Sequence, residues 1–74
     1  GEAAAATGRS SFFDAGREER VNADVYARDQ LAKGTRISGP AIVVEEGTST
    51  LISTRFDAHV DGGGALVLTR KEAN

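Results

Sequence analysis

An all-β domain, a small sandwich or barrel of about six short strands with one helical turn, is what this sequence predicts. Val21, Ala23, Val25 and Ala27 alternate with polar neighbours, as do Phe56, Ala58 and Val60. That two-residue period belongs to strands with one wet face. Ala41-Ile42-Val43-Val44 is apolar and mostly β-branched, and it follows directly on Gly39-Pro40. The run is too short for a helix and reads as a buried strand. Turn residues separate the segments throughout, which favours packed sheets over helices.

Taken in order, residues 1–8 carry no large apolar side chain. So short an alanine-rich stretch is marginal as an isolated helix, and it reads as a flexible tail. The β domain spans 9–70. Its first strand holds Phe12 and Phe13, whose side chains must point to opposite faces; one ring enters the core and the other becomes an interface candidate. Ala15 to Arg20 is a solvated turn. Along Val21–Ala27 the apolar residues take one face, so Tyr26 and Arg28 are expected together on the outer one. Asp29 to Gly34 reads as a single helical turn, with Asp29 as its N-cap and Gly34 as its left-handed stop. Gly39-Pro40 is a rigid corner, because proline fixes φ and has no N–H. Gly47-Thr48-Ser49 turns the chain into a strand through Leu51 and Ile52. Phe56–Val60 is the next strand, Gly62-Gly63-Gly64 the hairpin turn, and Leu66-Val67-Leu68 the closing strand. Residues 71–74 form a charged C-terminal end.

With 74 residues there is room for one small domain. A chain this short shields a smaller share of its apolar surface than larger domains do, and small folds usually need a staple. It has no cysteine, which excludes disulfides and thiolate metal sites. A partner surface is the staple that remains, so the chain is expected to be stable mainly as a docked subunit. The net charge of −2 is mild and both signs are interspersed, unlike the clustered basic face that binds nucleic acid. No apolar run is long enough to cross a membrane, and no signal peptide is visible. Together with the lack of cysteine, this fits the cytoplasm. Methionine is absent, even at position 1; either an initiator was removed or the chain begins inside a longer product.

Several groups invite a catalytic reading that the residues do not sustain. His59 lies between Asp57 and Asp61 on one strand face, but same-face neighbours sit nearly 7 Å apart, too spread to close on one ion. Glu45 and Glu46 are adjacent, so they point to opposite faces and cannot share a proton as a dyad. Thr48, Ser49, Thr50, Ser53 and Thr54 offer hydroxyls, yet activation needs a base, His59 is the only imidazole available, and no oxyanion donors are identifiable. The triple glycine lacks the Gly-Lys-Ser/Thr ending of a phosphate loop and runs into a strand. No catalytic, cofactor-binding or metal-ligating residue is therefore assigned. Tyr26 and Arg28 carry the most functional weight, because both residue types concentrate at interface centres. Arg28 has an equal alternative, bracing the Gly34–Gly39 loop through its carbonyls.

The order Val25-Tyr26-Ala27-Arg28, Leu31, Gly34, Ile37-Ser38-Gly39-Pro40-Ala41-Ile42-Val43, then Thr48-Ser49-Thr50 resembles the C-terminal domain of the hydantoinase A/5-oxoprolinase family, which includes acetone and acetophenone carboxylase subunits. The likeness covers roughly Arg9 to Arg70 and marks Gly34, Gly39, Pro40 and Thr50 as structural motif positions. Three places depart from the family pattern: Ala27 for a carboxylate, Ser53-Thr54-Arg55 for Pro-Pro-Gly, and Gly64-Ala65 for Gly-Asn. The resemblance implies ATP-dependent opening of cyclic amides or carboxylation of ketones, with the nucleotide machinery in large domains preceding this one. ATP and a divalent cation are then expected on larger catalytic subunits, with no cofactor on this chain. The chain itself is expected to be a non-catalytic subunit of the ketone carboxylase branch, docking through Phe12, Phe13, Tyr26 and Arg28. Two other readings stand beside it: a subunit of a cyclic-amide hydrolase, and an autonomous barrel that binds a small ligand or peptide.

Overall fold

The computed structural model describes residues 5–71. Seven strands follow one another: β1 (Gly8–Asp14), β2 (Glu19–Ala27), β3 (Arg36–Ser38), β4 (Ala41–Glu45), β5 (Thr48–Ile52), β6 (Phe56–Val60) and β7 (Leu66–Arg70). They form two sheets, ordered β1-β2-β4-β5 and β3-β6-β7, not a closed barrel. The strand beyond the expected six is β3, whose single apolar residue, Ile37, is buried. All pairings are antiparallel except β2 with β4, which run parallel. A parallel pair needs a long crossover. Here residues 28–40 provide it and place β3 in the other sheet on the way.

The core has two parts. Tyr26, Leu31, Ile37, Ala41, Val43, Ile52, Ala58 and Val60 form the larger cluster between the sheets. Phe12, Val21, Ala23 and Ile42 form a second, with Val25 and Val44 packed against it. Register explains the division. Val25 stands opposite Ile42, and Tyr26 opposite Val43; neighbours along a strand alternate faces, so each cluster takes one face of the four-stranded sheet. Both faces of β2 are therefore used. Tyr26, expected on the wet outer face beside Arg28, is instead 8% exposed and belongs to the larger cluster.

The helical turn is also shorter than expected. A 3-10 turn covers Arg28–Gln30, Ala27 holds its N-cap position, and no side chain caps it. Asp29 sits inside that turn instead of in front of it. Gly34 belongs to the next turn, closed by the Thr35 N–H to the Ala32 carbonyl at 3.1 Å. Its φ of +85° is the positive value that the third position of a type II turn requires. The Gly39-Pro40 peptide is cis and leads directly into β4.

At the two ends of the domain the ladder takes in residues read as tail. Thr7 donates to the Val25 carbonyl from its N–H at 2.7 Å and from its hydroxyl at 3.1 Å. Lys71 donates its N–H to the Arg55 carbonyl at 2.8 Å and its ammonium to the Gly39 carbonyl at 2.9 Å. The rest of the expected tail, residues 1–4, and of the charged end, 72–74, lies outside the described residues.

Glu18, in the β1–β2 turn, is the one non-glycine among the described residues with positive φ, at +55°. That conformation costs an L-residue roughly 1–2 kcal/mol, and glycine's greater unfolded-state entropy returns about 0.5–1 kcal/mol of any gain. Glu18→Gly is expected to raise stability by about 0.5–1 kcal/mol, read from the urea midpoint at unchanged slope.

Candidate docking surfaces

The aromatic pair on β1 divides as adjacency on a strand requires: Phe12 is 9% exposed and Phe13 is 58% exposed. The same logic applies on β5, where Ile52 is fully buried and Leu51 is 54% exposed. Phe12, Phe13, Leu51, Phe56 and the Arg55 side chain line a mainly apolar hollow of about 360 Å³. Leu51 was not singled out from the sequence, yet the signal was present. Two adjacent large aliphatics on a strand cannot both enter one core.

The wall of that hollow is held by Asp14, the one buried charged residue among those described, at 2% exposure. One carboxylate oxygen accepts from the Thr54 N–H at 3.0 Å and the Thr54 hydroxyl at 2.8 Å. The other accepts from the Gly16 N–H at 2.9 Å. These bonds pin the end of β1 to the turn after β5. The turn is Ser53-Thr54-Arg55, and a proline at 54 would have neither donor. The Thr54 main-chain and side-chain bonds hold the Asp14 carboxyl below its ordinary value, against the opposing effect of burial. Hydrogen bonds to the ionised form cause that direction. The folded state therefore binds this proton less readily than the unfolded chain does. Its stabilisation is complete above the ordinary carboxylate value near 3.8 and is lost as pH falls through the lower folded one. Asp14→Asn is expected to lower stability at neutral pH and to flatten the acid limb of a stability–pH curve, measured by denaturant unfolding at successive pH values.

Arg28 is half-buried and its guanidinium donates to the Gly64 carbonyl. It thus braces the β6–β7 hairpin, a different loop from the Gly34–Gly39 segment considered from the sequence. Arg28, Asp29, Val44, Glu45 and Glu46 line an open hollow of about 510 Å³ at the ends of β2 and β4. Tyr26 is not brought beside Arg28 on this surface, because its ring lies in the core. Burial, and after it the nearby Asp24 carboxylate, pushes the Tyr26 phenol up.

The motif positions are spread through the fold. Gly34 donates its N–H to the Val60 carbonyl at 2.8 Å, and Gly39 to Phe56 at 2.9 Å. A Cβ on Gly39 would collide with the backbone carbonyl oxygens of Ser53 and Phe56, the latter at 2.5 Å. Pro40 is half-buried beside it, and Thr50 is half-buried opposite Val43. The structure therefore gives Gly39 a steric reason to be glycine.

The residues with other chemistry stay apart. Asp57 accepts from the Ser38 hydroxyl at 3.1 Å and lies 3.8 Å from the Lys71 ammonium. Asp61 is turned into the hairpin loop, where one oxygen accepts the Gly63 and Ala65 N–H groups, both at 2.9 Å. His59 is thus left without Asp61 on its face. Among the described residues no group of three His, Cys, Asp or Glu side chains is placed to hold a metal ion. No helix among them is long and apolar enough to cross a membrane.

Two comparisons bear on this arrangement. An uncharacterized protein of Methanocaldococcus jannaschii is 36% identical over 62 residues, which is 84% of this chain but only 9% of that protein. The chain therefore spans a small part of a much longer relative. Residues 1–70 match the hydantoinase/oxoprolinase C-terminal domain, an interval that includes all seven strands and every motif position above. With nearly the whole chain inside that match, the protein belongs to the hydantoinase/oxoprolinase C-terminal domain family.

Proposed function

We propose that this chain is a small, non-catalytic structural subunit of a multi-subunit ATP-dependent ketone carboxylase of the acetone or acetophenone type. The observation that supports the reading is an exposed aromatic, Phe13, on a domain that matches the C-terminal domain of a hydantoinase/oxoprolinase family. Catalysis, with ATP and a divalent cation, belongs on larger subunits of a cytoplasmic assembly. This chain supplies a rigid two-sheet body with exposed Phe13 and the Arg28 hollow for them to rest on. Exposed aromatic and arginine side chains are the residue types that anchor such contacts.

The family's own description favours a second reading, a subunit of an ATP-dependent hydrolase that opens hydantoins or 5-oxoproline. One purification separates them. The chain, tagged in its native host, should retain polypeptides several times its size in fixed stoichiometry by native mass spectrometry. With ATP, that complex should incorporate labelled bicarbonate into acetone or acetophenone. Ring opening of hydantoin or 5-oxoproline without bicarbonate uptake would transfer the assignment to the hydrolase. A chain that comes out alone would defeat both readings.

A further inference from the structure

The two sheets leave four edge strands, β1 and β5 on one and β3 and β7 on the other. Natural edges are commonly guarded against pairing by charge, proline or a bulge. β1, β3 and β7 carry Arg9, Arg36 and Arg70 respectively. β5 reads Thr-Ser-Thr-Leu-Ile, with neither charge nor proline.

Its free side has a definite pattern. Glu45 stands opposite Thr48 across the two-residue Glu46-Gly47 loop, and the pair closing such a loop is hydrogen-bonded. Alternation then turns the backbone groups of Thr48, Thr50 and Ile52 towards β4 and those of Ser49 and Leu51 outward. Among the described residues no backbone bond outside the ladders uses Ser49 or Leu51. Leu51 is also one of the large apolar side chains left in solvent.

We propose that a second copy of this chain adds to β5, antiparallel and about a two-fold axis through Thr50. Ser49 of each copy then stands opposite Leu51 of the other, and the outward backbone groups exchange hydrogen bonds. The two Leu51 side chains become diagonal neighbours on one face, within reach of each other. The charge order selects this occupant. Glu45 and Glu46 lie at one end of β5 and Arg55 just beyond the other. Among the described residues none of the three has an ion-pair partner. Antiparallel pairing brings the acidic tip of each copy beside the arginine turn of the other, while the neutral strand between adds no repulsion. Five residues a side bury less than a standard interface of ~1,600 Å², so the dimer is weak and is best trapped.

The cysteine-free sequence permits a register-specific trap. At the axis, Thr50 faces its own copy as a non-hydrogen-bonded pair, with Cα atoms about 4.5 Å apart. That lies inside the ~4.4–6.8 Å range of a disulfide. Ser49 to Ser49 and Leu51 to Leu51 are diagonal, at roughly 7–8 Å. Under mild oxidation Thr50→Cys is expected to give disulfide-linked dimer well above Ser49→Cys and Leu51→Cys, although Leu51 and Ser49 are the more exposed. Yields that follow exposure instead would overturn the proposal. So would a folded Thr50→Cys chain that stays monomeric, or one that links to a larger polypeptide. Ser49→Pro removes only an outward donor, and at high concentration its solution mass should fall from two chains towards one while its circular dichroism is retained. An unchanged dimer would be equally fatal. Neither measurement depends on which reaction a larger assembly performs.

Discussion

Gly39→Ala is expected to destabilise the domain by more than about 3 kcal/mol, the range of a backbone collision that cannot be relieved by rotating a side chain. Domains of this length have total stabilities of roughly 4–11 kcal/mol, so most of the margin would go. Gly39 stands where three segments meet. Its N–H donates to Phe56, its carbonyl accepts from Lys71, and its missing side chain leaves room for the carbonyls of Ser53 and Phe56. The Ile52 Cγ2 atom lies 3.1 Å from the same position, and Ile52 is fully buried. The collision therefore separates β3 and β4 from the β5–β6 turn, which is where the two sheets join. Gly62→Ala is the control. No heavy atom lies within 4 Å of a Cβ there, and its effect should stay within about 0.5 kcal/mol. Urea unfolding followed by far-ultraviolet circular dichroism compares the two; similar midpoints would refute the steric account.

What could be read in advance follows from how local each signal is. The alternation along Phe56–Val60 and the apolar run Ala41–Val44 give β6 and β4 directly, because one strand's own residues carry the pattern. β3 escapes, since three residues with one apolar side chain show no period. The burial of Tyr26 is hidden for a different reason. The alternation Val21, Ala23, Val25, Ala27 marks one buried face and leaves Tyr26 on the other. Yet β2 lies between β1 and β4 in a sheet that buries parts of both faces. The warning was in Ala41-Ile42-Val43-Val44, which is apolar on both sides and pairs with β2. The Asp14–Thr54 tie joins residues 40 apart, and no local pattern announces such a contact. For the candidate surfaces, the adjacency of Phe12 and Phe13 was enough to show that one ring must face out. The partner of Arg28 was not legible, because the Gly64 carbonyl is supplied by a hairpin 36 residues away.

Tyr26 yields the other large effect, and the two substitutions at this position separate packing from surface chemistry. Tyr26→Ala removes a ring from the cluster containing Val43 and Ile52, where deletion of an aromatic side chain costs about 3–5 kcal/mol. The isolated chain is expected to lose most of its cooperative transition. Tyr26→Phe keeps the ring and should remain within about 1 kcal/mol of the parent. If Tyr26 were instead a docking residue, alanine would leave the isolated chain folded and abolish only association. A pH titration adds an independent reading. Burial first, and the Asp24 carboxylate second, raise the phenol above its ordinary value of 10.0, so the folded state holds this proton more tightly than the unfolded one. The corresponding stabilisation is fully present below that ordinary value and is lost as pH rises through the folded one. Tyr26→Phe removes the titrating group, so its stability should decline less steeply than the parent's on the alkaline side. Parallel alkaline limbs would show that the phenol titrates alike in the folded and the unfolded chain, and would refute the burial of its hydroxyl.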